Sequence, residues 1–321
     1  MQFYIYKTNY VCNFTKSDLH PAEPWFGFGE PETMLDPSDA SFVDVIHTDK
    51  LVFKKNIIGG DDWKPMGFGV SHAIGHFDYW PNNGTGHPGC DQNILSTITQ
   101  IGSLWDGSRD YVACNHLRAY KFFIDSIDES STPGLYPSQT QSCKFTSFTC
   151  NYNDLVAGEC MDCKDYLDCP SMGYEAYKWQ GRYSGSKNNF NLVTGGAGLT
   201  DEYCSHSYQI EITTSDFSDS IDGKVLVSLY GSEDTSTQKE FLSLRKIHPS
   251  ESFKNLLSWD NDLGNLQQVK VIWDDEKRGT AKLKLSIFDI GIKVGDEQLT
   301  YRFCNGQEAM KEGYRYTFDL C

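Results

Sequence analysis

Short segments in which apolar and polar residues alternate fill the last third of the chain, and they constrain its fold more than any other feature. Turn-forming residues separate seven of them, at 208–212, 224–231, 240–247, 266–273, 282–290, 298–304 and 314–320. A period of two is typical of strands that bury one face. Seven or eight such strands predict an antiparallel β-sandwich over residues 205–321.

The first two hundred residues have a different texture. The run Phe42–Asp49 (FVDVIHTD) predicts a buried strand that ends in polar residues, and Leu117–Ile127 predicts a helix. Segments 56–69 and 82–89 are rich in Gly and Asn and are predicted to be loops. Residues 143 to 190 carry five cysteines and little periodicity, which indicates a disulfide-tied edge rather than a core.

The window from Cys90 to Cys114 predicts a lid. Its apolar residues recur mostly at three- and four-residue spacing: Ile94, Leu95, Ile98, Ile101, Leu104 and Trp105. That spacing predicts a short amphipathic helix, too small to form a core by itself. Tied at its base by a disulfide and tipped with Trp105, such a helix would cover an apolar site in water and contact lipid when open. The alternative is ordinary packing of the same face against the body of the protein.

Charge and cysteine content narrow the class of protein. The chain has 321 residues with 28 Lys and Arg against 44 Asp and Glu, a net charge of −16 that argues against a nucleic-acid partner. Eleven cysteines predict an oxidising compartment, and the sequons at Asn13 and Asn83 fit a secreted glycoprotein. No segment is apolar enough to span a membrane, and Met1–Val11 lacks the apolar run of a signal peptide. We therefore expect the natural N-terminus to be missing.

Several motifs together resemble the pancreatic lipase family, from about residue 19 to the C-terminus. They are His20-Pro-Ala-Glu-Pro-Trp-Phe, Leu35-Asp-Pro-Ser-Asp, the FVDVIHTD run, Gly67-Phe-Gly, Gly75-His-Phe-Asp, Pro88-Gly-Cys, the lid window and Cys114-Asn-His-Leu-Arg-Ala-Tyr. The resemblance implies an α/β-hydrolase domain within residues 1–200, with a lid at 90–114, followed by a PLAT (LH2-like) β-sandwich at 205–321. We expect the α/β-hydrolase domain to be its C-terminal portion, with an incomplete sheet.

The activity implied is that of a secreted triacylglycerol lipase, a carboxylic ester hydrolase with a Ser, His, Asp triad. His116 stands at the family's general base, whereas His20 stands where the family has its acid, an Asp. No G-x-S-x-G nucleophile motif occurs in the 321 residues. We expect the chain as given to be inactive, with the serine on a missing N-terminal segment. The alternative is a noncatalytic lipid-binding protein derived from a lipase.

The resemblance also implies a calcium-binding loop. Asp36 and Asp39 match the family's carboxylate ligands and Met34 its main-chain carbonyl, while Pro31 falls at the family's Glu and leaves Glu30 or Glu32 to serve. The alternative is a solvated turn capped by Asp. A zinc site formed by His72, His76, His87 and Cys90 is a weaker hypothesis, because the resemblance places His76 in a structural turn and Cys90 in the lid disulfide.

The resemblance implies further pairings and partners. The remaining family disulfides correspond to Cys150 with Cys160, Cys163 with Cys169, and Cys304 with Cys321. Cys143 with Cys204 is an open pairing, and Cys12 has no assigned partner. In relatives the sandwich contacts a lipid interface and the small protein colipase, so we expect a colipase-like partner and exposed loop aromatics, Phe217 or Phe253. The alternative is a sandwich that only stabilises the chain.

Overall fold

A computed structural model describes most of the chain. The described residues are 4–9, 13–21, 34–50, 52–55, 63–67, 69–90, 104–127, 143–163, 169–196, 202–274, 283–295 and 297–321. They form two compact units, the first comprising Met1–Tyr152 with Cys163–Cys204, the second Asn153–Asp162 with Ser205–Cys321. The short segment Asn153–Asp162 therefore groups with the strand-rich C-terminal part, although it lies within the cysteine-rich region of the sequence.

The first unit is built on a five-stranded sheet. Its strands are β1 (Tyr4–Asn9), β2 (Asn13–Leu19), β3 (Phe42–Ile46), β6 (Phe77–Pro81) and β7 (Asn188–Leu192), in the order β1-β2-β3-β6-β7. The last four are parallel, whereas β1 pairs antiparallel with β2. A separate antiparallel pair joins β4 (Val52–Lys55) and β5 (Trp63–Met66). The strand predicted in the FVDVIHTD run is confirmed as β3.

The two faces of β3 pack into different cores. Phe42 and Ile46 belong to an aromatic cluster on one face, and Val43 and Val45 belong to an aliphatic cluster on the other. Every residue of β3 and of β6 is buried. Burial on both faces is typical of parallel strands, which are covered by other elements on each side.

Helix α1 (Leu104–Asp125) is longer than predicted. It begins inside the lid window, so the predicted helix Leu117–Ile127 is its second half, and its first half includes Trp105, whose side chain is outside the described part. Residues 91–103 of the window also lie outside the described residues. The disulfide between Cys90 and Cys114 is confirmed. No helix among the described residues is long and apolar enough to span a membrane.

The second unit is a β-sandwich of antiparallel strands. The strands are β8 (His206–Thr214), β9 (Ile221–Gly231), β10 (Lys239–Ile247), β11 (Ser252–Trp259), β12 (Leu266–Asp274), β13 (Leu285–Val294), β14 (Thr300–Cys304), β15 (Ala309–Met310) and β16 (Tyr316–Leu320). Their order is β10-β9-β12-β16-β14-β13-β8-β11, with β15 beside β13. A short helix, α2 (Tyr152–Val156), lies in the segment Asn153–Asp162 of this unit, apart from its first residue. All seven predicted strands are confirmed.

Two strands of the sandwich escaped sequence analysis. Strand β15 has two residues, and β11 breaks the alternating pattern because Leu256 and Leu257 are both buried. Strand β11 also corrects one expectation: Phe253 is 4% exposed, so it belongs to the core and is not an exposed loop aromatic. Phe217, by contrast, is 78% exposed, which agrees with the expectation of an exposed loop aromatic.

Further disulfides close both units. Cys143 is bonded to Cys204, which decides the pairing left open by the sequence. The expected bridges Cys163–Cys169 and Cys304–Cys321 are confirmed. Cys150 and Cys160 are each disulfide-bonded. Cys12 lies outside the described residues.

Candidate active site

The carboxyl ends of three neighbouring parallel strands gather polar side chains at one edge of the sheet. His20 follows β2, the segment His47–Asp49 follows β3, and Asn82 follows β6. Because Leu19 pairs with Ile46 in register, His20 lies beside the segment that leaves β3. This edge of an α/β sheet is where such proteins form their functional sites.

The main chain fixes both the ring and the tautomer of His20. Nδ1 accepts from the main-chain N–H groups of Thr48 (3.1 Å) and Asp49 (3.2 Å), so a neutral ring carries its proton on Nε2. The residue is 2% exposed and has a φ of 67°. Burial, reinforced by the neighbouring His116, lowers the pKa of His20 well below its ordinary value.

Gly69 leaves room for the ring of His20. A Cβ atom on Gly69 would lie 1.9 Å from Cε1 of His20 and 2.4 Å from Nε2. Real Cβ atoms do not approach other atoms so closely, so a side chain at residue 69 would displace the imidazole. Gly69 itself is anchored, because its N–H donates to the carbonyl of Asp49 (2.9 Å).

His116 meets His20 edge to face. The ring centroids are 4.6 Å apart and the ring planes lie at 87°. His116 is half-buried, and its Nδ1 is a buried atom that has no hydrogen-bond partner among the described residues. Burial lowers the pKa of His116 below its ordinary value. The structure thus brings together the two histidines that sequence analysis assigned to the base and acid positions.

Three contacts fix the turn of α1 that carries His116. Cys114 is bonded to Cys90, the Asn115 side chain accepts from the N–H of His87 (3.1 Å), and Arg118 Nη2 donates to the carbonyl of Pro88 (2.6 Å). These contacts tie one turn of helix to the loop that follows β6. The Cys90–Cys114 disulfide therefore also positions the candidate general base.

His87 supports this edge of the sheet. Its Nε2 donates to the carbonyl of Thr48 (2.8 Å), and its Nδ1 accepts from Asn82 Nδ2 (3.0 Å). Burial lowers the pKa of His87 to about 4, so the ring stays neutral near pH 7. His87 is a structural residue that links the segments leaving β3 and β6.

The carboxylate of Asp49 lies close to both histidines, and the sequence motifs did not point to this residue. One carboxylate oxygen of Asp49 and one ring nitrogen each of His20 and His116 all lie within 4.8 Å of one another. Asp49 is 7% exposed. The polar end of the FVDVIHTD run was visible in the sequence, but proximity to His116 depends on the folded sheet.

The zinc hypothesis is not supported by the positions of its four residues. His76 Nδ1 accepts from the N–H of Val43 (2.9 Å), His87 is hydrogen-bonded at both ring nitrogens, and Cys90 is in a disulfide. These residues do not form a cluster that suits a metal ion anywhere in the described ranges. Asp78 instead organises the neighbouring turn, accepting from the main chain of Ile74 and from His47 Nε2, each at 2.9 Å.

The expected calcium loop is a capped 3₁₀ turn at Pro37–Asp39. Asp36 accepts from the N–H of Ser38 (2.6 Å), and Asp39 accepts from Lys16 Nζ (3.2 Å). Hydrogen bonding from the side chain of Ser38, and then from its main chain, lowers the pKa of Asp36. The turn therefore offers two carboxylates whose remaining oxygen lone pairs suit a hard cation, with Lys16 as a competing charge. Met34 is half-buried next to the turn, and Glu32 lies outside the described residues.

Comparison with known proteins identifies the family. The Lipase model matches residues 15–198 and the PLAT/LH2 domain model matches residues 208–318. Pancreatic triacylglycerol lipase of Myocastor coypus is 38% identical over 305 residues, 94% of this chain and 60% of the relative. The lipase of the same name from Equus caballus is 37% identical over 94% of this chain and 59% of the relative, and that of Homo sapiens is 39% identical over 79% and 49%.

The chain spans about 60% of the length of the first of these curated relatives. The two matched regions agree with the two groups of strands. The Lipase match runs from within β2 to β7, and the PLAT/LH2 match covers most of the antiparallel sandwich. The chain belongs to the lipase family and carries a lipase domain followed by a PLAT/LH2 domain.

Proposed function

We propose that this protein acts on acylglycerols at lipid–water interfaces, as part of a secreted carboxylic ester hydrolase of the triacylglycerol lipase type. His116 would serve as the general base. The observation that carries the proposal is the position of His116 at the carboxyl edge of the parallel sheet, where the Cys90–Cys114 disulfide and Asn115 fix its helical turn. A general base requires that kind of fixed orientation toward the reacting group.

The chemistry of the triad predicts that the 321-residue chain alone does not turn over long-chain esters. A histidine base needs a hydroxyl nucleophile, and G-x-S-x-G does not occur in these residues. A histidine base also needs a carboxylate partner, and at residue 20, the family's acid position, His20 presents an N–H group instead. In the serine proteases, replacing the triad Asp by Asn lowers the rate by about 10⁴, which is the scale of the loss when no other carboxylate replaces the missing one.

Three partners are part of the proposal. Phe217, exposed on a loop of the sandwich, is proposed to contact lipid. A colipase-like protein would bind the same domain, as implied by the family. Calcium would be held by Asp36 and Asp39 as a structural ion. Secretion is supported by the disulfides of both units, which form in oxidising compartments.

The calcium proposal can be tested by thermal unfolding. Millimolar calcium should raise the Tm of the chain, since a ligand that binds the folded state stabilises it. The double variant Asp36→Asn, Asp39→Asn should lose that shift, while Asp216→Asn, an exposed carboxylate elsewhere, should keep it. An equal shift in all three proteins would show that calcium binds somewhere else.

The decisive test of function compares hydrolysis with binding. The purified chain is mixed with emulsified triglyceride, released fatty acid is titrated, and the fraction of protein that floats with the emulsion is measured. We expect flotation without release of fatty acid. Release that disappears in His116→Ala would contradict the predicted inactivity, and absence of both flotation and release would contradict action at an interface.

The alternative function is that of a noncatalytic lipid-binding protein. It is favoured by one observation, the imidazole of His20 at the acid position. The same experiment separates the two functions when it is repeated with the natural protein from its source. Hydrolysis by that protein would exclude the alternative, whereas flotation without hydrolysis would support it.

A further inference from the structure

Two buried ring nitrogens at the site have no hydrogen-bond partner among the described residues. They are Nε2 of His20 and Nδ1 of His116. Since Nδ1 of His20 accepts from two main-chain N–H groups, Nε2 is a donor that needs an acceptor. A buried donor left unsatisfied is unfavourable, so a nearby acceptor has a strong reason to bind it.

The carboxylate of Asp49 is such an acceptor. It is buried, and one of its oxygens lies within 4.8 Å of a ring nitrogen of each histidine. A charge-assisted N–H to carboxylate bond is about 2.8 Å long, so a side-chain adjustment of at most about 2 Å brings that oxygen within hydrogen-bond distance of a given ring. His20, Asp49 and His116 all lie in the first unit of the structure.

The main chain of Asp49 is held at both of its polar groups. Its N–H donates to Nδ1 of His20 (3.2 Å), and its carbonyl accepts from the N–H of Gly69 (2.9 Å). The main chain of Asp49 therefore keeps its place beyond the end of β3, beside the ring of His20. A group on a fixed main chain is well suited to orient a neighbouring ring.

We infer that Asp49 is the carboxylate partner of His116, in place of the imidazole at residue 20. The acid has thereby moved from the end of β2 to the end of β3, the adjacent parallel strand. His20 supports it by donating Nε2–H to the same carboxylate. Asp49 is a positioning residue: it accepts from Nδ1–H of His116, leaves the lone pair on Nε2 and stabilises the imidazolium formed when Nε2 takes a proton.

A metal ion bound by the same three side chains is disfavoured by the tautomer of His20. A metal at Nε2 needs the lone pair there, which would put the ring proton on Nδ1. Nδ1 faces the N–H groups of Thr48 and Asp49, and a proton between those donors would be repelled. A carboxylate that accepts from Nε2–H requires no such change.

The test is nuclear magnetic resonance of the 321-residue chain labelled with ¹⁵N in its histidines. His116→Gln assigns the His116 signals, and the pKa of His116 is measured in the wild type, in Asp49→Asn and in Asp44→Asn. Asp44 is the control for the loss of a buried carboxyl group, and it lies in β3, the strand that ends before Asp49. His20, His47 and His87, the other ring groups near the site, are followed in the same spectra.

Asp49→Asn should lower the pKa of His116 by about one unit, because an opposite charge at this distance favours the protonated ring. Asp44→Asn should leave it unchanged. Equal values of the His116 pKa in the wild type and in Asp49→Asn would overturn the inference, as would an equal fall in both variants.

The wild type alone supplies a second readout that does not depend on any variant folding. If Asp49 accepts from His116, neutral His116 carries its proton on Nδ1, and the ¹⁵N shifts identify that tautomer. A proton on Nε2 instead would overturn the inference. Only the role of His116 as a base rests on the proposed function, so a chain without hydrolytic activity leaves this test intact.

Discussion

The imidazole of His20 lies against that of His116, with ring centroids 4.6 Å apart and planes at 87°. An edge-to-face contact between two rings of lowered pKa is neutral, so it supplies no charge that would stabilise an imidazolium. The contact does fix the relative orientation of the two side chains. It explains how the fold accommodates a histidine at the position of an acid without loss of packing.

Replacing His20 by Asp should raise the pKa of His116. The new carboxylate can accept from the same N–H groups of Thr48 and Asp49, which keeps it ionised at neutral pH. We expect the pKa of His116 to increase by about one or more, measured by titration of the ring signals. His20→Asn is the matched control, of equal size and without charge. A rise of equal size in both variants would contradict the role of charge.

A methyl group at residue 69 should destabilise the protein because it collides with His20. Gly69→Ala places Cβ 1.9 Å from Cε1 of the imidazole, and overpacking of this kind typically costs about 1–3 kcal/mol. Urea unfolding measures the difference. The control is Gly291→Ala, whose Cβ would meet its nearest atom at 3.9 Å.

A double variant tests the mechanism of that loss. In the His20→Ala background the imidazole is absent, so Gly69→Ala should cost clearly less than it does in the wild type. If the cost is the same in both backgrounds, the collision with His20 is not the cause. The difference between the two costs is the interaction energy between residues 20 and 69.

The buried carboxyl of Asp44 should make stability fall as pH rises. Burial is the main cause that raises the pKa of Asp44 to about 7, against an ordinary 3.8, although a hydrogen bond from Ser17 (2.7 Å) opposes the shift. The folded state therefore retains a proton that the unfolded state loses above about pH 4. The stability from this group is complete below that pH and is lost as pH rises through about 7.

Asp44→Asn should remove this dependence. The compared quantity is the free energy of unfolding of the variant minus that of the wild type. We expect this difference to increase between about pH 4 and pH 7, by at most about 1.4 kcal/mol per pH unit. His87, with its pKa lowered to about 4, acts in the opposite direction, but it is common to both proteins and cancels in the difference. A difference that does not vary with pH would contradict the prediction, and Asp216→Asn, at an exposed position, provides that baseline.

Local patterns predicted the sandwich well because each strand carries its own signal. Strand β9, for example, alternates buried and half-buried residues from Ile221 to Val227. Strand β11 was missed because Leu256 and Leu257 are adjacent and both buried. Helix α1 was assigned too short, since the polar residues from Asp106 to Asp110 hide its first turns.

The site was predictable only in part. The motifs of the lipase family pointed to His20 and His116 and to the Cys90–Cys114 bridge, each of which the sequence carries in a recognisable run. Asp49 has no local signal of its role. Its proximity to His116 arises from the parallel pairing of β2 with β3 and from the helix that follows, contacts between segments far apart in sequence.

Phe217 should contribute to binding at a lipid surface. Its side chain is 78% exposed at the turn between β8 and β9, where its N–H donates to Ser215 Oγ (3.2 Å) within the turn. An aromatic ring that inserts into the interface removes apolar area from water. Phe217→Ser should therefore weaken binding to a neutral-lipid emulsion, measured by flotation, by roughly tenfold, the loss expected when a large apolar side chain is no longer partly buried. Tyr314→Ser, at a residue 65% exposed on another loop of the same domain, is the matched control.

Both substitutions lie outside the core, so the Tm should stay close to that of the wild type. Equal weakening in the two variants would indicate general loss of surface hydrophobicity, and unchanged binding in Phe217→Ser would remove this loop from the lipid contact.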